Sequence, residues 1–306
     1  MLAYVSLNFP SLTTTFVHTE VLALKRRGIP IQTYSVWPTS LNTSDPDLHE
    51  LARDTVNLYP LSWRAFLTSH SALALSDPIR YIRMVTTITR QREDTWRHRL
   101  NAWGSAYIAR DMARRGVHHI HAHFASSPTS VAMAVSAVSM ESDLSFSFTA
   151  HAIDIFAHKI MLREKLRRSK FVIAISEYNK SCLIDMASDM PGISEKIHVV
   201  HCGVDLTQFS PRQRAHRGGG QPLILSVAQM REKKGLPFLV EACRLLKSWC
   251  INFRCVIIGG GEGLKNLQRQ VEENGLQDTM HLYGPRPHRE VRDVLAQADA
   301  FVLHAS

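Results

Sequence analysis

No CxxC pair occurs among the five cysteines, Cys182, Cys202, Cys243, Cys250 and Cys255, and their odd number fits no closed disulfide framework. That usage predicts a reducing compartment, the cytoplasm. No apolar run approaches the roughly 18 residues a membrane-spanning helix needs. The opening residues read as a strand with no positively charged leader, so no signal peptide is expected. A GxGxxG dinucleotide fingerprint with its downstream ribose-binding acid is also missing, which disfavours a nicotinamide enzyme. Acidic residues are short, 27 against 36 Lys and Arg, and the net charge is +9. The excess is concentrated. Residues 63–115 hold ten Arg, no Lys and four acids, and residues 157–170 hold six bases and one acid. Such segments suit solvated helix faces or an anionic membrane surface. Nucleic acid is excluded as a partner, because no recognition module is visible and the aromatics do not interleave with the bases.

What is present is a chain of 306 residues, 45% hydrophobic and 21% charged, enough for two domains with sizeable cores. Short apolar runs alternate with helical patterns: Leu2–Leu7, Ile29–Trp37, Val56–Tyr59, His118–Phe124, Ser145–Thr149, Phe171–Ile175 and Lys196–Val200 read as strands. Asn42 to His49 reads as polar and turn-rich. From Trp63 to Arg115 the pattern is helical throughout, broken at Asp77-Pro78. Its apolar stripe fits a packed core, or a membrane-facing surface where Arg flanks it. The glycine-rich basic stretch 206–221 reads as a linker between domains 1–205 and 222–306. A second alternation follows, with strands at Leu223–Val227, Phe253–Ile258, Met280–Tyr283 and Ala300–Leu303. This regularity predicts parallel sheets covered by helices. The last strand has no helix after it, so the second domain is expected to be incomplete.

Three clusters carry candidate chemistry. Gln229, Arg231 and Lys234 lie between a strand and a helix, where cations and backbone N–H groups suit a diphosphate. The next strand ends in Gly259-Gly260-Gly261-Glu262-Gly263, which permits close approach of a phosphate or sugar. Two such turns at the carboxyl ends of adjacent parallel strands stand where ligands collect in open sheets. In the first domain, His119, His121 and His123 share one strand and His151 and Asp154 follow another. Alternation puts the strand histidines on one face with no dedicated cage, so zinc is disfavoured beside satisfied polar strand ends and, foremost, a ligand-binding role for His151.

The segments Asn8-Phe9-Pro10-Ser11-Leu12-Thr13-Thr14-Thr15-Phe16-Val17, His121-Ala122-His123-Phe124, Thr149-Ala150-His151-Ala152-Ile153-Asp154-Ile155-Phe156 and Val200-His201-Cys202-Gly203-Val204-Asp205, with the two loops above in order, resemble the group 1 (family 4) glycosyltransferases of bacterial exopolysaccharide type. The resemblance covers nearly the whole chain. It implies a GT-B fold, an α/β architecture of two Rossmann-like, doubly wound parallel-sheet domains facing across a cleft, the second incomplete. The implied activity is metal-free transfer of a hexose from a UDP- or GDP-sugar to a lipid-linked or polysaccharide acceptor, with retention, on the inner face of the plasma membrane. His151 matches the histidine that contacts the transferred sugar, and Lys234 the lysine that steadies the departing diphosphate. Gln229, Arg231, Gly259, Gly260, Gly261, Glu262, Gly284 and Arg286 are implied on the donor side, and Thr14, Thr15, His123 and Asp154 on the acceptor side.

Three departures bear on this. Gln229 stands where the family usually has Arg, and Arg231 would partly substitute for its charge. Thr14 stands where relatives often carry Glu. The pair of glutamates that would contact the donor sugar and ribose is missing. A truncated, inactive remnant that binds membranes or a partner glycosyltransferase is therefore the alternative expectation, and a sugar-nucleotide epimerase a third.

Overall fold

The computed structural model describes residues 1–11, 14–41, 45–89, 96–138, 144–157, 159–204, 206 and 220–303. Most of the expected linker lies outside them. The chain divides into two compact units, Met1–Gly203 and Val204–Ser306.

The first unit runs β1 (Leu2–Asn8), α1 (Thr15–Arg26), β2 (Ile31–Trp37), α2 (Pro46–Asp54), β3 (Val56–Asn57), α3 (Trp63–Ser76), α4 (Pro78–Thr89), α5 (Trp96–Trp103), α6 (Ser105–Arg114), β4 (His119–His123), α7 (Ser127–Val138), β5 (Ser145–Ala150), α8 (Ala152–Phe156), α9 (Leu162–Arg168), β6 (Val172–Ala174), α10 (Glu177–Met186), α11 (Ile193–Lys196) and β7 (Ile197–Val199). Its sheet is parallel, in the order β3-β2-β1-β4-β5-β6-β7. Both faces are covered, and β1 shows how. Ala3 and Val5 pack with Tyr34, Ile120 and Ala122 on one side, while Tyr4 packs with Val17, Val21 and Leu48 on the other. The chain winds outward from β1 to β3, then returns to pair β4 with β1. Crevices form at such a reversal, beyond the carboxyl ends of the two strands. The loops that begin at Phe9 and Phe124 leave from there.

Of the stretch read as turn-rich, residues 42–44 lie outside the described ones, and Asp45 to His49 open α2. Asp45 Oδ1 accepts from the backbone N–H of Asp47 at 3.0 Å, and Pro46 sits in the first turn. A carboxylate followed by proline is a helix start as much as a turn. The break at Asp77-Pro78 is present, with Asp77 Oδ1 accepting from Arg80 N at 3.0 Å.

In the basic stretch 157–170, Arg163, Arg167 and Arg168 are exposed and paired, and Lys165 is buried. Arg163 pairs with Asp189 at 2.7 Å, and Arg167 and Arg168 both pair with Glu164. Lys165 is 0% exposed, and its ammonium donates to the carbonyls of Ala125 (2.6 Å), Ser126 (3.1 Å) and Ile160 (3.0 Å). By contrast, α3 and α4 expose Trp63, Leu67, Leu75, Ile79 and Ile82, with Arg64 stacked over the Trp63 ring. Among the described residues, no helix is long and apolar enough to cross a membrane.

The second unit runs β8 (Leu223–Val227), a single 3-10 turn (Glu232–Lys234), α12 (Leu236–Ser248), β9 (Arg254–Ile258), α13 (Leu264–Glu273), β10 (Met280–Gly284), α14 (His288–Leu295) and β11 (Ala300–Phe301). The sheet is again parallel, ordered β10-β9-β8-β11, with its reversal beside β8. Its core separates into a cluster around Leu239, Val240, Cys243 and Ile257 and another around Leu225, Val256 and Ile258. Helix α13 begins at Leu264 and not within the glycine turn, where Gly261 has φ +151°, which no helix admits.

Candidate functional site

In the second unit the loops after β8 and β9 are laced together by their backbones. Ala228 N donates to Ile258 O, Met230 N to Gly260 O and Gly263 N to Met230 O, each at 3.0 Å. This closeness needs glycine. A Cβ on Gly259, at φ +143°, would lie 1.9 Å from the Ala228 carbonyl oxygen, and one on Gly261 2.8 Å from that of Met230. The lacing leaves Arg231 and Lys234 in one turn, and neither side chain is paired among the described residues. Gln229 and Arg231 are exposed and Lys234 half-buried. A pocket of about 530 Å³ beside this turn brings Arg231 and Glu262 together with Leu236, Pro237 and Asn266. Gln229, Lys234, Gly284 and Arg286 are not in its lining. Gly284 accepts from Gly259 N at 3.0 Å. Arg286 is engaged locally, donating to Tyr283 O and pairing with Glu290.

In the first unit, the sequence-predicted histidines gather under α1. His151 is 7% exposed. It lies just after β5, with its backbone N–H donating to Asp154 Oδ2 at 2.9 Å, and Asp154 is itself buried. The Phe124 and Phe16 rings flank its imidazole at 4.3 and 4.9 Å between centroids, and His123 lies at 5.8 Å. Burial first, then the neighbouring His123, push the pKa of His151 down to about 3, partly offset by Glu20. At neutral pH it is therefore an uncharged imidazole, able to donate to or accept from a sugar hydroxyl. Thr14 and Thr15 stand at the start of α1, while Leu12 and Thr13 lie outside the described residues.

His119 and His121 belong to a ladder of hydroxyls. His119 Nδ1 meets Ser145 Oγ (2.8 Å) and its Nε2 meets Ser147 Oγ (2.7 Å). His121 Nδ1 meets the same Ser147 Oγ (2.8 Å), and its Nε2 meets Thr149 Oγ1 (3.0 Å). The in-register pairing of β4 with β5 builds this ladder, His119 opposite Ser145 and His121 opposite Ser147. Burial brings His119 to a pKa of about 4 and His121 to about 3.

Glu20 is the residue that reading the sequence missed. It projects from α1 onto the histidine face: Tyr4 Oη donates to Glu20 Oε1 at 2.6 Å, and His123 Nε2 faces Glu20 Oε2 at 3.5 Å. Burial raises its pKa, but His123 and the Tyr4 hydroxyl outweigh that and hold it at about 2. Its only signal in the sequence was an acid inside an apolar helical stripe.

A family model described as Glycosyltransferase Family 4 matches residues 13–208, and one described as Glycosyl transferases group 1 matches residues 208–306. Over 160 residues the chain is 36% identical to a protein provisionally named colanic acid biosynthesis glycosyltransferase WcaL, from Escherichia coli K12. That alignment takes in 50% of this chain and 38% of the relative. It is 33% identical to the amylovoran biosynthesis glycosyltransferase AmsK of Erwinia amylovora, with the same coverage. The match thus spans well under half the length of these curated relatives. Among solved structures, Anabaena HepE in complex with UDP and glucose superposes with a TM-score of 0.63 at 14% identity, covering 100% of this chain and 74% of that one. The likeness shows the fold, that of GT-B glycosyltransferases.

Proposed function

Because the chain belongs to the family 4 glycosyltransferases, we propose that it takes part in exopolysaccharide or cell-envelope glycan synthesis, moving a hexose from a UDP- or GDP-sugar to a lipid-linked or polysaccharide acceptor with retention of configuration. One observation carries the donor half of this reading: two cations unpaired among the described residues, Arg231 and Lys234, in a turn whose backbone is pinned to the glycine loop of the next strand. As the glycosidic bond breaks, charge builds on the leaving diphosphate, and a fixed ammonium stabilises it in that state more than in the ground state. Lys234 takes this role, with Arg231 supplying the charge that Gln229 cannot. The protein's own cations hold the diphosphate, so no metal is needed there. Neutral, ring-flanked His151 contacts the transferred sugar, and Asp154 fixes the backbone that carries it.

The test is transfer from radiolabelled UDP-glucose, UDP-galactose or GDP-mannose to a lipid-linked oligosaccharide, with the product anomer read by NMR. Lys234→Ala is expected to slow the active donor by roughly 100-fold, the scale of removing one transition-state charge partner. Equal rates for Lys234→Ala and the unaltered chain would defeat the assignment. An epimerised donor formed without acceptor would replace transfer by epimerisation.

The proposal includes peripheral contact with the anionic inner face of the plasma membrane through α3 and α4, whose exposed Trp63, Leu75, Ile79 and Ile82 stand among Arg64 and Arg83. Flotation with phosphatidylglycerol-rich vesicles is expected to recover at least tenfold more protein than flotation with phosphatidylcholine alone, and Ile79→Asp to remove that gain. Equal recovery from both lipids would refute it.

A further inference from the structure

We propose that Glu20, His121 and His123 form a zinc-binding site inside the first unit, beside His151 but requiring no donor or acceptor to bind the ion. One ligand atom from each lies within 4.8 Å of the others. Two imidazoles and a carboxylate are a donor set that Zn²⁺ accepts, with a fourth position left to water. The backbone accounts for the gathering. His121 and His123 are two apart on β4, so their side chains leave the same face of the sheet. Their rings stand edge to face with centroids 5.2 Å apart. The helix α1 covers that face and lowers Glu20 onto it.

The state of His123 points to a ligand. It is 1% exposed, neither ring nitrogen has a hydrogen-bond partner among the described residues, and Nε2 stands 3.5 Å from Glu20 Oε2, beyond normal hydrogen-bond length. A buried imidazole whose one facing acid stands beyond normal hydrogen-bond length is costly, and coordination would remove that cost. The neighbouring polar groups already stand where outer partners of a metal site stand. Tyr4 Oη holds the far oxygen of Glu20 at 2.6 Å. Ser147 and Thr149 each hold one nitrogen of His121, so one hydroxyl gives way to the ion while the other keeps orienting the ring. Ligation needs neutral imidazoles and an ionised carboxylate. Nothing given by the sequence alone linked Glu20 to the histidines, since they lie about a hundred residues apart and only the β1–β4 pairing and the cover of α1 unite them.

The experiment uses the full chain, stripped with EDTA, dialysed and titrated with Zn²⁺ alone, with bound metal counted by mass spectrometry. About one tightly held Zn²⁺ per chain is expected, and Co²⁺ in its place should give the visible bands of a four-coordinate N/O site without a thiolate charge-transfer band. Glu20→Gln and His123→Gln should each weaken binding by at least roughly tenfold, whereas His119→Gln, on the same strand outside the cluster, should retain it. Circular dichroism checks folding. If His123→Gln does not fold, the nearly isosteric Glu20→Gln carries the test. No stoichiometric zinc, or zinc held equally by Glu20→Gln and the unaltered chain, overturns the proposal.

Discussion

Gly259→Ala is expected to unfold the second unit, or to destabilise it by about 4 kcal/mol or more, the range reserved for named structural conflicts. Two costs coincide at this position. Its φ of +143° is one that alanine rarely adopts, and its new Cβ would sit 1.9 Å from the Ala228 carbonyl oxygen. The obstacle is main chain at the end of the neighbouring strand, so no rotamer change can relieve it. Relief requires parting β8 from β9 where Ala228 N bonds Ile258 O and Met230 N bonds Gly260 O, which opens the sheet at its centre. Gly284→Ala tests a positive φ with no close approach. That residue also has a positive φ, +70°, but a Cβ there meets nothing within 4 Å, so only about 1 kcal/mol is expected. Hydrogen exchange over residues 222–303 measures both, and equal protection in the two variants would show that the close approach does not matter. The first unit has its own core and should keep its protection in either variant.

Lys165→Met is expected to cost about 3 kcal/mol, less than a clash at a sheet centre but large for one side chain. Methionine fills a similar volume and deletes the charge, but it leaves the carbonyls of Ala125, Ser126 and Ile160 without the donor that now ties them. Two of the three belong to the loop that follows Phe124, itself at φ +74°, a conformation an aromatic residue holds only when its surroundings impose it. The loss should therefore appear first as faster exchange in residues 119–130. Lys170→Met, at an exposed position in the same basic stretch, should shift the urea midpoint little. A midpoint for Lys165→Met no lower than that of Lys170→Met would mean that water replaces the ammonium at no net loss.

The strands and the glycine turn after β9 were legible in the sequence because both are local signals. Leu2–Leu7 and Phe253–Ile258 are short apolar runs bounded by turn residues, and their positions follow from backbone physics alone. The two charged residues that matter most in the first unit were not legible in this way. Lys165 is spelled like its neighbours Arg163, Arg167 and Arg168, and a charge count puts all of them on a solvated face. Only the approach of the 124–126 loop to α9 tells the buried cation from the exposed ones. Glu20 has the same difficulty, since a helical period says that one face of α1 is covered but not which strand covers it. His151 was singled out for ligand binding beside Asp154, with no sign in the sequence of its burial. The flanking of its ring by Phe16 and Phe124 depends on contacts that no short window of sequence contains.

The place of β1 in its sheet has a consequence during synthesis. Its amino end is tied to Gly116 O, 115 residues along the chain, and β4 follows directly. Ribosomes add roughly 5–20 residues per second, so one flank of β1 waits on the order of 6–23 s for its neighbour to be made. Until then the nascent chain carries an apolar strand paired only with β2, a template for wrong pairing. A chaperone that shields nascent apolar segments should therefore govern how much of this protein reaches its native state in the cell.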